Sequence, residues 1–400
     1  MIINADLHIH SRFSGNKSPK MDLWTISVEA PKKGIHIVGT GDCLHPQWLT
    51  EIARCNKVDE GTFELNGTRF ILSVEVETKN RVHHLIYFPS IQSVKEFRKI
   101  TKHFSKNLDI DGRPIINISG EELASIAREV DALIGPAHAF TPWTGVYANH
   151  KSIKECYGDL TDYVSFVELG LSADTNYADR IKELHRLTFL SNSDTHSPHP
   201  VRFAREFNRF KVEDLTFNEI KKAILRQDGN RPVLNVGLPP EEGKYNESTC
   251  RSCFTHYGYE EAKKRKWRCK CGKKIKKGVK DTIFEIGNYS EPIHPDHRPP
   301  YVNLIPLPEI ITKAIGHRNP FSKTIYNRWW ELISTFNSEI DVLLEANIED
   351  ISTIAVPAVT EAIKAFREGK IIVKPGGGGK YGIIEFPSEE NFLTVTLGAK

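Results

Sequence analysis

The residues with the clearest potential for chemistry stand near the start of the sequence, in Asp6-Leu7-His8-Ile9-His10. Because side chains alternate along a strand, His8 and His10 would share one face where the first predicted strand ends. Two imidazoles held side by side form half of a transition-metal site. The alternative is one buried structural histidine beside an exposed one, and a single His-x-His segment does not decide between them.

Further His, Asp and Glu residues follow the same arrangement, each at or near the end of a short apolar segment. They are Asp42, Glu75, His84, His138, Glu168, Asp194 and His196. About seven such predicted strands are mostly separated by helical stretches, which favours a parallel α/β barrel. Since working residues collect at the C-terminal ends of barrel strands, we expect this set to converge on one site.

The residue types indicate a cluster of metals. Mixed imidazole and carboxylate ligands suit Zn²⁺, Mn²⁺ or Fe²⁺, and the set exceeds what one ion requires, so two or three metals with a bridging carboxylate fit. Two metals about 3.5–4 Å apart are typical of phosphoester hydrolysis, where they lower the pKa of bound water from 15.7 to about 7. A metal-bound hydroxide would be the nucleophile. The sequence contains no serine-hydrolase elbow or P-loop as a competing centre.

Several segments, taken in order, resemble the motifs of the PHP (polymerase and histidinol phosphatase) metallophosphoesterases. They are Asp6-Leu7-His8-Ile9-His10, Glu75, His84-Leu85-Ile86, Pro136-Ala137-His138 and Ser193-Asp194-Thr195-His196. The resemblance covers residues 1 to about 235. It implies a distorted (β/α)7 barrel that holds two or three divalent metals, with Zn²⁺, Mn²⁺ or Mg²⁺ as the expected ions.

The resemblance also implies which residues hold each metal. The first metal would be bound by His8, His10, Glu75 and Asp194, the residues expected to catalyse through the metal and its hydroxide. The second metal would be bound by Glu75, His84 and His138. Glu75 would therefore bridge the two metals. His83 is interpreted as structural because it points to the strand face opposite that of His84.

The third metal site is where the sequence departs from the family. Asp42 stands where a histidine is usual in a Thr-Asp-His motif, and the loop after His10 offers Ser14 and Asn16 instead of a further histidine. A third site would therefore rest on Asp42 and His196, with His45 as a further donor. This departure predicts weaker occupancy or a different ion at that site.

Residues near the last metal motif are candidates for contacts with a substrate. Arg202 and Arg205 come directly after it and would contact phosphates beside the scissile bond. The alternative for these arginines is a solvated loop. Glu168, Leu171 and Ser172 are candidates for a base pocket by their position alone.

Four clustered cysteines predict a separate module at residues 244–290. Cys250 and Cys253 are followed after fifteen residues by Cys269 and Cys271, a pattern typical of a four-cysteine structural zinc site of ribbon type. Four thiolates leave no open position on the zinc, so it would fold the module and would not catalyse. Such binding typically contributes about 10–16 kcal/mol.

The cysteine module is also dense in cations. The candidates for contacts with a nucleic-acid backbone are Lys264, Arg265, Lys266 and Arg268. A lysine-rich segment is often only a soluble face. Its position beside a phosphoesterase favours nucleic acid and shifts the expected substrate from small phosphate esters towards a polynucleotide.

Residues 291–400 predict a mainly helical C-terminal domain with a Gly-rich hairpin. Helices are predicted at residues 307–315, 323–336, 338–345 and 357–368. Two short apolar strands flank Gly376-Gly377-Gly378-Gly379, whose backbone amides would approach a phosphate or a flipped nucleotide. A plain flexible hairpin is the alternative. Lys374, Lys380 and Tyr381 flank the turn and are further candidates for DNA contacts.

The order of the three regions, residues 1–236, 244–290 and 291–400, resembles the endonuclease Q family of archaeal and bacterial DNA-repair nucleases. The resemblance implies incision of damaged double- or single-stranded DNA on the 5′ side of uracil, hypoxanthine, xanthine or an abasic site. Some family members bind the sliding clamp, but residues 391–400 contain no clamp-binding box. The alternatives are a small-molecule phosphatase on the same barrel and a non-catalytic nucleic-acid-binding protein.

The composition limits the partners and the location. The chain has 400 residues, 39% of them hydrophobic, and can bury a large core, while its net charge of +3 leaves nucleic-acid affinity to local patches. Cys43, Cys55 and Cys156 are scattered, which indicates a reduced intracellular protein instead of a disulfide scaffold. No signal peptide precedes the first strand and no apolar segment approaches about 20 residues, so we expect a cytoplasmic, nucleoid-associated protein without a membrane span.

Overall fold

The computed structural model describes residues 1–15 and 18–386. The strands are short, and most of them lie in the first 240 residues. In chain order they are β1 (Ile2–Asp6), β2 (Ile37–Gly39), β3 (Asn56–Lys57), β4 (Thr62–Leu65), β5 (Thr68–Ile71), β6 (Ser73–Thr78), β7 (His83–Tyr87), β8 (Ile115–Ile116), β9 (Leu133–Pro136), β10 (Phe166–Glu168), β11 (Thr188–Leu190), β12 (Phe207–Lys211), β13 (Arg231–Gly237), β14 (Thr249–Cys250), β15 (Ile275–Lys276), β16 (Tyr301–Asn303), β17 (Ile372–Lys374) and β18 (Ile383–Glu385).

The helices connect the strands and then dominate the C-terminal region. They are α1 (Leu23–Lys33), α2 (Pro46–Ile52), α3 (Ile91–Thr101), α4 (Gly120–Glu129), α5 (Val146–Asn149), α6 (Ile153–Tyr157), α7 (Thr175–Ala178), α8 (Phe217–Leu225), α9 (Tyr259–Lys264), α10 (Val279–Ile286), α11 (Leu307–Ala314), α12 (Lys323–Phe336), α13 (Ile348–Ile354) and α14 (Pro357–Arg367). Short 3₁₀ helices cover Lys102–Phe104, Gly158–Tyr163, Lys182–Arg186 and Pro240–Glu242, and a π-helix covers Asp341–Glu345. Within the described ranges, every helix is too short or too polar to cross a membrane.

The strands of the first region form three hydrogen-bonded sheets. The largest has the order β16-β13-β12-β1-β2-β5-β4-β3, the second has the order β8-β6-β7-β9, and the third pairs β10 with β11. Strand β1 is parallel to β2 and antiparallel to β12, and β6 and β7 form an antiparallel hairpin. Over residues 1–15 and 18–386 these ladders do not close into one barrel. The fold is mixed α/β, and the prediction of an all-parallel arrangement is corrected because hairpins supply antiparallel neighbours.

The separate sheets nevertheless share one apolar interior. Fully or nearly fully buried side chains from strands of all three sheets pack into a single cluster, to which helix α8 contributes Phe217, Ile220 and Ile224. The contributing strands are β1, β2, β5, β7, β9, β10, β11 and β12. Burial of these side chains stabilises the packing of the strands and so helps to hold the strand ends, and the polar residues that follow them, in fixed positions.

Along the chain, the four-cysteine module is inserted between β13 and β16, two neighbouring strands of the largest sheet. The chain leaves the sheet after β13, forms β14, α9, β15 and α10, and returns as β16, which pairs in parallel with β13. The return segment is held by Arg298, whose guanidinium donates to both oxygens of Asp179 at 2.9–3.1 Å. Both side chains are almost completely buried, so this ion pair fixes the module's second attachment to the first region.

The C-terminal region is helical, as predicted. The helices predicted at residues 307–315, 323–336 and 357–368 correspond to α11, α12 and α14, and the one predicted at 338–345 is the π-helix Asp341–Glu345. Lys33 at the end of α1 donates to Glu339 Oε1 at 2.6 Å, and Trp329 Nε1 donates to the other oxygen at 2.7 Å. This buried contact ties the helical region to the first region.

Candidate active site

His8 and His10 follow β1 and are fixed by backbone pairing with the segment that carries Asp194. The amide of Asp194 donates to the carbonyl of His8 at 3.0 Å, and the amide of His10 donates to the carbonyl of Thr195 at 2.9 Å. Asp194 has φ +46°, an uncommon conformation for a residue other than glycine. With this backbone arrangement, Asp194 Oδ1 lies 3.1 Å from His10 Nε2 and 3.6 Å from His8 Nε2.

Two buried carboxylates orient these histidines from behind. Glu168 lies 3.0 Å from His8 Nδ1, and Asp42 Oδ1 lies 3.1 Å from His10 Nδ1. A carboxylate on one ring nitrogen fixes the tautomer and directs the other nitrogen towards a metal. Asp42 Oδ2 also accepts from the amide and the hydroxyl of Ser11 at 2.7 and 2.6 Å. Asp42 belongs to neither of the close donor groups described below, which favours a role in positioning His10, and its binding of a third metal stays a prediction.

Glu168 is likewise better explained as a positioning residue than as part of a base pocket. Its oxygens accept from the His138 amide and from Asn192 Nδ2, both at 2.8 Å, in addition to facing His8. The side chain is 1% exposed, although it borders the cavity described below. These contacts favour a positioning role for Glu168, and its part in a base pocket stays a prediction because the side chain lines the cavity.

Glu75 joins two groups of potential ligands. Its Oε1 lies 2.6 Å from His83 Nδ1 and 2.8 Å from His138 Nε2, while Oε2 lies 3.3 Å from His10 Nε2. The donor atoms fall into two groups, each within 4.8 Å: His8, His10, Glu75 and Asp194 form one, and Glu75, His83 and His138 form the other. One carboxylate oxygen faces each group, which is the arrangement of a bridging ligand.

The electrostatics of this cluster fit divalent cations. Burial disfavours the ionised form of Glu75, but His83 and the other nearby imidazoles lower its pKa well below the ordinary 4.5. Burial also opposes ionisation of Asp194, but His8 and His10 lower its pKa. Nearby carboxylates raise the pKa values of His8 and His10, so protonated imidazoles can balance the carboxylate charge. A divalent cation can supply the same positive charge once these ligands are deprotonated, as metal binding requires.

The structure corrects the choice between the two adjacent histidines of β7. In the antiparallel pairing of β6 with β7, Glu77 lies opposite His83 and Val76 lies opposite His84. Side chains alternate between faces, so Glu75 and His83 share one face and His84 lies on the other. The ring of His84 contacts Tyr157 Oη at 2.6 Å and Thr78 Oγ1 at 3.1 Å, and burial lowers its pKa to about 3.

Arg113 is a site residue that the sequence analysis did not identify. Its Nη1 lies 3.3 Å from Glu75 Oε2, and it precedes the short strand β8. The neighbouring Gly112 abuts the site, since a Cβ there would collide with the Asp42 carboxylate. A lone arginine outside every motif gives no signal in the sequence, so only the tertiary contact reveals it.

The residues predicted for a third metal do not assemble into a donor group. His196 stacks on His10 with the ring centres 4.3 Å apart, and burial and the neighbouring His10 lower its pKa to about 4. His45 stacks on Phe13 at 4.1 Å. Across the described ranges, no group of three close donors contains Asp42, His45 or His196.

A cavity of about 590 Å³ opens beside the first group of ligands. Its wall includes Asp194 and His196 together with Leu171 and Ser172, the remaining candidates for a base pocket. The predicted DNA-binding residues on this wall are Arg202, Arg205 and Tyr381. Lys244 and Tyr245 also line it, and the sequence analysis did not identify either residue.

Tyr381 is surrounded by cations at the cavity wall. Arg205 is 7% exposed and donates to Tyr381 Oη at 3.4 Å and to the carbonyl of Ser193 at 3.5 Å. Arg202 and Lys244 lie 5.3 and 4.7 Å from the centre of the Tyr381 ring. Burial would raise the pKa of Tyr381, but Arg205 and the other cations lower it. This corner of the cavity is suited to an aromatic or anionic group.

The Gly-rich hairpin presents Tyr381, and the amides of Gly376, Gly377 and Gly379 donate within the protein. The amides of Gly376 and Gly379 donate to the carbonyls of Glu241 and Lys244 at 2.7 and 3.0 Å. A Cβ at Gly377 would collide with Thr249. The glycines thus allow close packing against the segment that leads into the cysteine module. The structure therefore does not favour a phosphate contact for these three amides.

The other predicted DNA-binding residues lie away from the cavity wall. Lys374 pairs with Glu385 at 2.6 Å, and Lys380 lies 3.5 Å from the centre of the Phe254 ring. The cations of the cysteine module are exposed or partly exposed on its surface: Lys264, Arg265, Lys266 and Arg268. These residues are positioned for contacts outside the metal centre.

The four predicted zinc ligands converge. Cys250 Sγ lies 3.5 Å from Cys271 Sγ, and Cys253 Sγ lies 3.4 Å from Cys269 Sγ. All four sulfur atoms lie within 4.8 Å of one another. Four thiol sulfurs at this spacing match the donor set of a structural zinc site.

Comparisons with known proteins identify full-length relatives. The structure superposes on the lesion-specific endonuclease PfuEndoQ from Pyrococcus furiosus with a TM-score of 0.92 and 48% identity, covering 97% of this chain and 96% of that one. It superposes equally well on endonuclease Q in complex with a 27-mer duplex substrate with an abasic lesion at the active site, with a TM-score of 0.93, 48% identity and coverage of 97% and 98%.

Sequence relatives and a family model match as well. The uncharacterized protein YqxK of Bacillus subtilis is 32% identical over 408 residues, covering 96% of this chain and 99% of that protein. The uncharacterized protein MJ0043 of Methanocaldococcus jannaschii is 46% identical over 259 residues, 63% of this chain but only 32% of that protein's length. A family model described as the MJ0043 C-terminal domain matches residues 306–370. By its similarity over nearly the whole length to solved endonuclease Q structures, the chain belongs to the endonuclease Q family.

Proposed function

We propose that the chain is a metal-dependent DNA-repair endonuclease that hydrolyses the phosphodiester on the 5′ side of a damaged nucleotide. The observation that carries the proposal is the 48% identity, over 97% of this chain, to endonuclease Q bound to a duplex with an abasic lesion at its active site. The proposed lesions are uracil, hypoxanthine, xanthine and abasic sites. The convergent ligand groups supply the chemistry that phosphodiester hydrolysis needs.

Two divalent metals are proposed at the active site, one in each donor group. Bound there, Zn²⁺, Mn²⁺ or Mg²⁺ would lower the pKa of a bound water and stabilise negative charge on the phosphate and the leaving oxygen. Glu75 bridges the groups, and Glu168 and Asp42 hold His8 and His10 in the orientation that binding requires. Arg113 offers a further positive charge beside Glu75. A structural Zn²⁺ is proposed at the four cysteines.

The cavity beside the metal centre is proposed to receive the damaged nucleotide once it is turned out of the duplex. Its volume of about 590 Å³ suits a ligand of this size. Turning out a nucleotide costs a few kcal/mol and costs least for a weakly paired or missing base, which contributes selectivity. Leu171 and Ser172 would contact the base. The other candidates, Arg202, Arg205 and Tyr381, would contact the DNA backbone or stack on the base.

The wider architecture supports a duplex as the substrate. Exposed cations on the cysteine module would contact the phosphate backbone outside the cavity. We propose that the strands sharing one apolar interior form a distorted, open (β/α)7 barrel. A cytoplasmic, nucleoid-associated location fits this function. The clamp-binding prediction concerns residues 391–400, which lie outside the described residues.

Incision of a 5′-labelled duplex with one hypoxanthine, beside the matched undamaged duplex, tests the proposal. Cleavage should occur only 5′ to the lesion, should require Mn²⁺ or Mg²⁺ after chelation, and should be lost in Asp194→Ala. The exposed Asp162→Ala is the matched control and should cleave normally. Hydrolysis of free phosphomonoesters without incision of any damaged duplex would identify a phosphatase instead. Stable DNA binding without metal-dependent turnover would identify a binding protein.

A further inference from the structure

Trp143 connects the cysteine module to the loop that follows the metal ligand His138. Its indole packs edge-on against Tyr245 with ring centres 5.1 Å apart, and Lys276 Nζ and Arg251 Cζ lie 4.1 and 5.3 Å from its ring centres. Arg251 lies between two of the cysteines, and Lys276 lies in β15, paired with Thr249 beside Cys250. The contacts therefore reach the part of the module that the four cysteines hold together.

The same loop is joined by its backbone to both histidines of the second ligand group. The Thr141 amide donates to the carbonyl of His138 at 2.8 Å, and the His83 amide donates to the carbonyl of Thr144 at 2.9 Å. Displacement of the segment from Thr141 to Thr144 would therefore move His83 and His138 relative to Glu75. Trp143 stands in the middle of this segment.

The backbone of Trp143 indicates that its placement is imposed by its neighbours. It has φ +86°, and a bulky residue in this left-handed region is a genuine outlier that persists only where the surroundings determine it. Asn149 Nδ2 donates to its carbonyl at 3.0 Å, and the indole contacts the module. Such strained positions cluster at functional sites.

We propose that Trp143 is a positioning residue through which the folded four-cysteine module sets the geometry of the second metal site, formed by Glu75, His83 and His138. This inference rests on the proposed metal ligands and does not require that the substrate be damaged DNA. Removal of the indole releases the segment from Thr141 to Thr144 from the module. The second site then loses affinity, while the first site, whose His8, His10 and Asp194 lie on other segments, keeps its affinity.

Equilibrium binding of Mn²⁺ to the full chain tests the inference, with zinc retained at the four cysteines and verified by metal analysis. Wild-type protein should bind two Mn²⁺ in addition to the zinc. Trp143→Ala should weaken one of the two sites by about 10-fold or more, the size expected for loss of an outer positioning contact. Trp143→Phe, which keeps an aromatic contact, should restore most of the affinity. Trp330→Ala removes a half-exposed tryptophan on α12 and should leave the Mn²⁺ affinity of both sites unchanged.

A second variant keeps the test decisive if Trp143→Ala does not fold. Lys276→Met removes the cation on the module side while leaving Trp143 in place, and should weaken the same site to a smaller extent. Wild-type affinity at both sites in Trp143→Ala, or equal weakening of both sites, would overturn the inference. Loss of DNA affinity with unchanged Mn²⁺ binding would overturn it too, because Trp143 would then be a DNA contact. Absence of incision in every variant would count against the proposed function only.

Discussion

His83 Nδ1 lies 2.6 Å from Glu75 Oε1, while the adjacent His84 points to the opposite face of the sheet and contacts Tyr157. This relationship decides which of two neighbouring histidines faces the metal centre. It follows from the register of β6 with β7, which places Glu77 opposite His83. A register shifted by one residue would exchange the two rings.

Matched substitutions of the two histidines should separate their roles. His83→Gln should lower incision by at least about 100-fold and weaken metal binding, because it removes a proposed metal ligand and the imidazole that contacts Glu75. His84→Gln should keep metal binding but lower the free energy of unfolding by about 1–3 kcal/mol, since Tyr157 and Thr78 lose a buried partner. Metal titration and denaturant unfolding would measure the two effects. The opposite pattern would contradict the assignment.

Substitution of Glu168 should act through His8. Glu168→Gln would remove the charge that holds the His8 ring and should weaken metal binding about 10- to 100-fold. Ser172→Ala, on the cavity wall, should leave metal affinity unchanged and alter the preference among lesions. Metal affinity and incision of a panel of lesion duplexes, measured for both variants, would check this. A Glu168 variant with normal metal affinity and altered lesion preference would show that Glu168 acts in the base pocket and does not position His8.

Neutralisation of the module's cations should weaken DNA binding without changing selectivity. The triple replacement of Lys264, Lys266 and Arg268 by Gln should lower affinity equally for damaged and undamaged duplexes. It should also reduce the slope of log K against log[salt] by up to about 2.7, since each phosphate contact contributes about 0.9. Lys95→Gln with Lys99→Gln, on the exposed face of α3, is the control. An unchanged slope in the triple variant would exclude these residues from the interface.

Ionisation of the buried Glu206 should lower the free energy of unfolding as the pH rises. Burial raises its pKa from 4.5 to about 8, so the folded state retains a proton that the unfolded state releases. Its contribution to stability is therefore fully present below about pH 4.5 and declines until about pH 8, with a total on the order of 3–5 kcal/mol.

Denaturant unfolding of wild type and Glu206→Gln at pH 5 and pH 8 checks this contribution. The amide can still accept the bond that the Leu238 amide donates at 2.9 Å. Glu206→Gln should therefore gain stability relative to wild type as the pH rises from 5 to 8. A constant difference between the two proteins would show that the Glu206 pKa is not raised by folding.

Several features could be predicted because they are local in the sequence. The comparisons confirm the predicted family. The His-x-His segment, the cysteine spacing and the helix at residues 323–336 correspond to the first ligand group, the thiol cluster and α12. The sequence analysis does not predict helix α13, and the sheets are mixed where it predicts a parallel barrel. Residue types and short spacings carry this information because ligand chemistry and helical periodicity depend on near neighbours.

Residue types and the order of the motifs were enough to predict the kinds of ligand and the family, and the comparisons confirm the family. The tertiary structure alone decided that His83 and not His84 joins Glu75, that Asp42 and Glu168 orient His10 and His8, and that Arg113 reaches the site. It also decided that the amides of Gly376, Gly377 and Gly379 donate within the protein and that Tyr381 lines the cavity. Contacts between residues 32 to 184 positions apart depend on the packing of the whole fold, and no short segment encodes them. Glu75 and His83 are only 8 positions apart, but the register of β6 with β7 decides which histidine faces Glu75, and the residue types do not specify that register.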